Sequence, residues 1–599
     1  MIRSENLSIS FGKRILLEKE SFTMQRGEKI GLAGRNGSGK STLLSLIAGE
    51  REPDSGKIII PKNYTVAYMK QKLSFTHDNL IDECASCLPE DCRHEEYQAK
   101  KILSGLGFYD SDFLRSPAEF SGGFQVRIEL AKALVSGRNL LLLDEPTNYL
   151  DLPSTTWLAD YLESWPGEFI LVTHDRSFMD RVVTHVMLIH RARMRKTPGN
   201  TQKMYEQIAL EEEVYEKTRI NDEKKRREVE IFISRFRAKA RLANLVQSRI
   251  RALEKTQKAQ KLEKIENAEF DFPYKAPEAR YLLSARNLLF HYQPGNELIG
   301  GLDLDIQKNE KICIIGKNGK GKTTLLRLLA GELSPSAGTV KKHEQCLIGY
   351  FGQTNINRLH PQNTVLSEVQ QSAPHLPARV IRTMLGNLLF TGEDSDKKIS
   401  ILSGGERARV LLGKILVTPN SLLFLDEPTN HLDMESCDSL LEALINFEGA
   451  VVMVTHNELF LNSLPDRLIV FQPEGPEIFY GSYQEFLANG GFREEDKLKQ
   501  KKNKKPEINR PEKTGKECKK TELALVKQEI RRLEEILENL EKSLKTSENM
   551  IIEYAARGES FKISELSILL ASQKKEADEN YSRLEMLLLR QEEIEEKYR

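Results

Sequence analysis

The chain has 599 residues, more than one hydrophobic core fills, so at least two domains are expected. Hydrophobic residues make up 39% and charged residues 29%, and no run of 18 or more apolar residues occurs, which excludes a membrane-spanning helix. Lys+Arg and Asp+Glu number 88 each, so any surface for a polyanion has to arise from local segregation of charge. Seven cysteines give no disulfide framework, and the first residues lack the apolar core of a secretory signal, so a cytoplasmic location is expected.

In chain order, the first informative element is the apolar strand Lys29-Ile30-Gly31-Leu32-Ala33. It runs into Gly34, Arg35, Asn36, Gly37, Ser38, Gly39, Lys40, Ser41 and Thr42, and a helix-forming stretch, Leu43-Leu44-Ser45-Leu46, follows. This is the phosphate-loop pattern GxxxxGK[ST] between a strand and a helix. Its small residues let backbone N–H groups close around phosphate oxygens, and the helix N-terminus adds partial positive charge. Lys40 is expected to reach the β- and γ-phosphates, and Ser41 to hold Mg²⁺ through its hydroxyl. Further on, Cys84, Cys87, Cys92 and His94 stand at irregular spacing with no counterpart later in the chain. They read better as apolar packing than as a zinc site. Leu140-Leu141-Leu142-Leu143-Asp144-Glu145 is an apolar run ending in two acids, the pattern of a buried parallel strand whose C-terminal end meets a ligand. Asp144 is expected to support Mg²⁺, and Glu145 to orient and polarise an attacking water.

Residues 197–277 are charged and poor in Gly and Pro, and read as long helices. Basic residues from Lys224 to Arg251 crowd near a helix–turn–helix tip. On charge alone, contact with RNA phosphates and a solvated helical spacer are equally compatible with this segment. Then the first pattern returns. Gly316, Lys317, Asn318, Gly319, Lys320, Gly321, Lys322, Thr323 and Thr324 repeat the phosphate loop, and Lys322 stands at an offset of 282 from Lys40 (322 − 40). Gln353 follows Gln71, Ser403 follows Ser121, Glu427 follows Glu145 and His456 follows His174 by the same offset, so one fold occurs twice without net insertion. Thr323 and Asp426 repeat the expected Mg²⁺ support, and Glu427 repeats the expected water-orienting acid. Residues 497–520 are lysine-rich and contain Pro506 and Pro511, the composition of a flexible linker. From 521 onwards, Leu523, Val526, Ile530, Leu533, Leu537, Leu540 and Leu544 form a coiled-coil seam, broken near Gly558 and followed by a second helix.

These marks resemble the ATP-binding cassette superfamily. Phe120-Ser121-Gly122-Gly123-Phe124 and Leu402-Ser403-Gly404-Gly405-Glu406 are similar to its signature, which caps the γ-phosphate bound by the opposite cassette. The resemblance makes Gln71 and Gln353 the Q-loop residues beside Mg²⁺, His174 and His456 the switch histidines, and Phe11 and Tyr292 the aromatics stacked on adenine. It further implies two composite sites. Site one joins Lys40, Asp144, Glu145 and His174 to Ser403, Gly404 and Gly405. Site two joins Lys322, Asp426, Glu427 and His456 to Ser121, Gly122 and Gly123.

Asp-Glu-Pro-Thr-Asn-x-Leu-Asp occurs twice, at 144–151 and 426–433, both cassettes share one chain, and a charged helical segment joins them. Together these resemble the ABC-F family of soluble ATPases over residues 1 to about 490. Phe120 and Phe124 replace the family's usual Leu and polar residue, and Tyr149 its usual His. The expected fold class is α/β, with two P-loop ATP-binding cassette domains joined by a helical hairpin linker and followed by a C-terminal antiparallel coiled coil. The expected domains are a first cassette (1–196), a linker contacting tRNA and rRNA (197–278), a second cassette (279–490), a flexible lysine-rich linker (491–520) and the coiled coil (521–599). The resemblance implies ATP hydrolysis with Mg²⁺ by a monomer that closes on itself, and action on the ribosome as a translation factor. The little sequence at the linker tip disfavours drug resistance. A DNA-binding ATPase working through the coiled coil is the alternative, and a transporter ATPase subunit a weaker one.

Overall fold

A computed structural model describes residues 2–12, 14–69, 75–89, 95–236, 270–292, 297–356, 358–390, 392–430 and 432–493. The coiled coil, the expected lysine-rich linker beyond residue 493, the linker tip, Gln71, Cys92 and His94 lie outside them, as do the side chains of Phe11 and Gln353. No helix among the described residues is long and apolar enough to cross a membrane.

Each cassette is built on a six-stranded sheet. In the first, the order is Arg193–Pro198, His185–His190, Lys29–Ala33, Glu168–Val172, Leu140–Asp144 and Val66–Tyr68. All pairings are parallel except the edge pair of Arg193–Pro198 with His185–His190. The second repeats this with Gly475–Tyr480, Arg467–Gln472, Lys311–Gly316, Ala450–Val454, Leu422–Asp426 and Ile348–Phe351. Register repeats as well: Ile30 pairs with Ile170, and their equivalents in the repeat, Ile312 and Val452, pair with each other. Leu140, Leu141, Leu142 and Leu143 are fully buried because the strand has helices on one face and a second sheet on the other. Burying each such leucine contributes about 2 kcal/mol.

That second sheet is antiparallel. Ile2–Phe11 pairs with Arg14–Glu20, Thr23–Met24 and Ser55–Ile59, and Tyr281–Phe290 pairs with Ile299–Gln307 and Ala337–Lys342. Gly56 and Gly338, equivalent positions of the repeat, open the returning strands with φ of 86° in both. A Cβ there would lie 2.4 Å from Asn6 O and 2.2 Å from Asn287 O. A smaller helical layer carries Leu80–Ala85, Glu96–Gly105 and Gly122–Val135 in the first cassette, and Val365–Ser372, Ala378–Asn387 and Gly404–Leu416 in the second.

From the last strand of the first cassette the chain enters a 36-residue helix, Thr201–Phe236. Some of its cations pair with acids on the same helix: Arg219 with Glu216 and Glu223, and Arg227 with Glu223. Where description resumes, the chain is already packed on the second cassette. Phe270 and Phe272 sit in its core, and Lys275 N–H donates to Asn420 O. Helix was expected through 277, but residues 270–275 are an extended arm whose aromatics are captured by that core.

Replacing Gly56 or Gly338 by Ala is expected to cost about 1–3 kcal/mol each, because the left-handed backbone and the carbonyl contact both resist a methyl group. Denaturant titration with either variant checks this, and an unchanged midpoint contradicts it.

Candidate functional site

The phosphate loops come first because every other group is placed around them. Each ends a central strand and starts a helix, Lys40–Ile47 or Lys322–Leu329. Gly39 and Gly321, immediately before the lysines, have φ of 103° and 105°, a conformation that a side chain would strain. Lys40 Nζ donates to Gly34 O at 2.7 Å and Arg35 O at 3.2 Å. Lys322 Nζ donates to Gly316 O at 2.7 Å, and to Lys317 O and Asn318 Oδ1 at 3.0 Å. Burial pushes both ammonium groups below their ordinary range, Lys322 to about 8, while the nearby glutamates oppose the shift. A polyphosphate placed against them would favour the charged form and oppose that shift.

The acidic pairs stand beside the loops. A cavity of about 500 Å³ is lined by Asn36, Gly37, Gly39, Lys40, Ser41 and Thr42 together with Asp144, Glu145 and His174. In the second cassette Asp426 accepts a hydrogen bond from Thr323, the pair expected to share a cation. The donor set, one hydroxyl and one carboxylate per cassette beside a phosphate loop, fits Mg²⁺ carried by a nucleotide. Glu145 and Glu427 have φ of 53° and 48°, strained values for a residue with a Cβ. Their backbone N–H groups are held by Val172 O at 2.8 Å and Val454 O at 2.9 Å, which locks the turn. Burial, then the adjoining Asp144 and Asp426, push both glutamates up to about 8, against the pull of Lys40 and Lys322.

His174 Nε2 lies 3.1 Å from Glu145 Oε1, and His456 Nε2 lies 3.4 Å from Glu427 Oε1. Burial, reinforced by the Lys322 charge, holds His456 well below the usual imidazole range, so it is neutral at pH 7. A cavity of about 50 Å³, room for a few waters, is bordered by both glutamates and both histidines. Tyr292, expected to stack on adenine, meets Phe290 edge-on at 4.9 Å, and its hydroxyl is 3.2 Å from Thr324 Oγ1.

The signatures differ. Ser403 caps its helix in a reciprocal box: Glu406 N–H donates to Ser403 Oγ at 3.3 Å, and Ser403 N–H and hydroxyl donate to Glu406 Oε2, each at 2.8 Å. Ser121 makes no such cap, because Phe124 stands where Glu406 stands in the repeat. Phe124 and Phe120 instead pack edge-on around Phe108, at 5.4 and 5.5 Å. Cys84 is buried in that cassette's core and Cys87 is half-buried nearby.

Across the interface the loops meet acids to which the sequence motifs gave no role. Asn36 N–H donates to Asp433 Oδ2 at 3.2 Å, and Asn318 N–H donates to Asp151 Oδ2 at 3.0 Å. On one side only, Arg35 pairs with Glu435 and Arg176 with Asp438, both at 2.7 Å. The equivalent positions of the repeat, Lys317 with Pro153 and Glu458 with Thr156, hold no matching charges. The signal was present in the sequence: Asp151 and Asp433 are themselves equivalent positions of the repeat.

Two phosphate loops, each beside its own acidic strand and each touching a carboxylate of the other half, define a tandem ATP-binding cassette protein. The family model described as ABC transporter matches residues 17–148 and 299–430, stretches in the register of the repeat, and a second model of that description matches 187–272. The chain is 32% identical over 539 residues to the probable ATP-binding protein YheS of Haemophilus influenzae, covering 84% of each. It is 30% identical over 534 residues to ATP-binding cassette sub-family F member 3 of Homo sapiens, covering 81% of this chain and 73% of that one. A solved structure of the archaeal ribosome recycling factor aABCE1, in complex with ribosomal stalk protein aP1, shares the fold with a TM-score of 0.55 at 19% identity, over 81% of this chain and 92% of that one. The chain belongs to the ABC-F subfamily of ATP-binding cassette proteins.

A glutamate whose folded-state pKa is raised binds its proton more tightly when folded, so stability falls as pH rises from about 4.5 towards about 8. The Glu145→Gln, Glu427→Gln double variant lacks that loss. Without nucleotide, its melting temperature is expected to match the parent's near pH 5 and to exceed it by several degrees near pH 8. An equal difference at both pH values would show that the glutamates are not buried in their charged form.

Proposed function

We propose that the chain hydrolyses ATP at two composite sites between its cassettes and that its ATP-closed form acts on the ribosome as a translation factor, hydrolysis driving release. The observation that carries this is the reciprocal seam: each phosphate loop is held by an acid of the opposite cassette. In site one, Lys40, Arg35, Asn36 and the loop N–H groups bind the phosphates, and Ser403 with Gly404 and Gly405 caps the γ-phosphate. In site two, Lys322, Lys317, Asn318 and Lys320 do so with Ser121, Gly122 and Gly123. Phe11 and Tyr292 flank the adenines. Mg²⁺, when bound through Ser41, Asp144 and Gln71, or through Thr323, Asp426 and Gln353, neutralises charge on the β- and γ-phosphate oxygens.

Glu145 and Glu427 orient the attacking water, and His174 and His456 lie against their carboxylates. A nucleotide bridging the halves favours the closed state, and loss of the γ-phosphate removes that preference. The ribosomal reading is supported by ABC-F membership, by the basic stretch between Lys224 and Arg251, and by the likeness in fold to a ribosome recycling factor. Within the basic stretch, Phe232 and Phe236 would serve either as contacts to RNA bases or as packing between the linker helices. Residues 197–278 would meet tRNA and rRNA, where backbone phosphates supply much of the affinity.

Converting Glu145 and Glu427 to Gln is expected to lower ATP turnover at least about 100-fold, the lower range for loss of a positioned base. With ATP present, the variant should then co-sediment with ribosomes. Turnover that persists contradicts the catalytic assignment, and free sedimentation of an inactive variant contradicts the ribosomal one.

A further inference from the structure

Arg127 lies on the first signature helix, six positions after Ser121, and is the largest fully buried side chain among the described residues, at 2% exposure. A buried guanidinium is costly unless its donors are used, and here each of its three nitrogens donates. Nη1 donates to Leu106 O at 2.8 Å, and Nε and Nη2 both donate to Tyr149 O, at 3.1 and 2.6 Å. Nη2 is also 3.9 Å from Asp151 Oδ2. The Phe124 ring covers the guanidinium at 4.6 Å, which gives this departure from the usual polar residue a physical role. Gly107 makes the room, since a Cβ there would lie 2.8 Å from Nη1.

What Arg127 grips is the segment that faces the other cassette. Tyr149 has φ of 67°, a left-handed conformation for a bulky residue, and its carbonyl oxygen also accepts Asn318 Nδ2 at 2.9 Å. Asn318 Oδ1 in turn accepts Lys322 Nζ at 3.0 Å, and Asn318 N–H donates to Asp151. Unbroken polar contacts therefore run from the first signature helix to the phosphate-loop lysine of the second cassette. We infer that Arg127 is a positioning residue that fastens the signature helix and the Tyr149–Asp151 segment into one rigid wall, so that both meet the nucleotide of site two together. This rests on the composite-site reading above and adds a residue that acts through the Tyr149 and Leu106 carbonyls.

The test uses the full chain in two backgrounds: Lys40→Ala, which leaves site two, and Lys322→Ala, which leaves site one. Affinity is read with a fluorescent ATP analogue. Arg127→Lys keeps the charge but loses the planar fork. It is expected to weaken site two about tenfold, the scale of one charge-assisted hydrogen bond, and site one less than about twofold. In a chain that also carries Asn318→Ala, most of that penalty should vanish, because the link is already cut. Phe124→Leu, which loosens the guanidinium without emptying its place, serves if the lysine variant fails to fold, and should weaken site two alone by several-fold. Equal weakening of both sites, or a penalty unchanged by Asn318→Ala, overturns the inference. If Ser121→Ala weakens site two while neither the Arg127 nor the Phe124 change does, Arg127 has no positioning role and the composite reading survives. If Ser121→Ala leaves site two unmoved as well, the composite reading fails.

Discussion

The hydrogen bonds from Asn318 N–H to Asp151 and from Asn36 N–H to Asp433 hold together much that otherwise looks separate. Each carboxylate does two things. Asp151 Oδ1 caps the helix Leu152–Ser164 through Ser154 N–H, while Oδ2 takes the opposite phosphate loop, and Asp433 does the same with Ser436. A helix cap is rigid, so the acid reaches across the interface from a fixed base. Both acids are buried, and hydrogen bonding with neighbouring positive charge keeps them ionised against the cost of burial, holding them below the usual carboxylate range. Folding of each half thus prepares a contact that only the other half can use.

The glutamates behave in the opposite way. Asp151 and Asp433 are satisfied in place, whereas Glu145 and Glu427 are half-buried beside a second carboxylate on strained backbone. Oε1 of each lacks an aligned hydrogen-bond donor, although a histidine stands close by. Such an arrangement costs stability and makes sense where a water and a metal-bearing polyphosphate are to complete it. The two sets of acids therefore differ in kind: one fixes geometry across the seam, the other keeps an unsatisfied oxygen beside the phosphate loop.

Much of this was legible in the sequence for a physical reason. A phosphate loop is local, so its strand, glycines, lysine and helix lie close together along the chain and carry their own signature. The leucine runs ending in Asp144 and Asp426 are local too, and a constant spacing made the second copy certain once the first was seen. Contacts between the halves were not legible. Asn318 and Asp151 are 167 residues apart, and nothing in either motif says that they touch. Arg127 reads as an ordinary charged position on a helix, and its burial follows only from the carbonyls of Leu106 and Tyr149 closing over it. The charged pattern before Pro277 suggested helix, yet Phe270 and Phe272 are held by a core built from far later parts of the chain, such as Leu444 and Phe447.

The crossed seam makes the two halves poor candidates for independent life. A fragment holding one cassette would keep its phosphate loop but lose the acid that steadies it, and would expose a face bearing Asp151 or Asp433 with no loop to receive. Genetic lesions should accordingly be misaddressed: damage to Asp151 or Asp433, encoded in one half of the gene, is felt by the phosphate loop of the other.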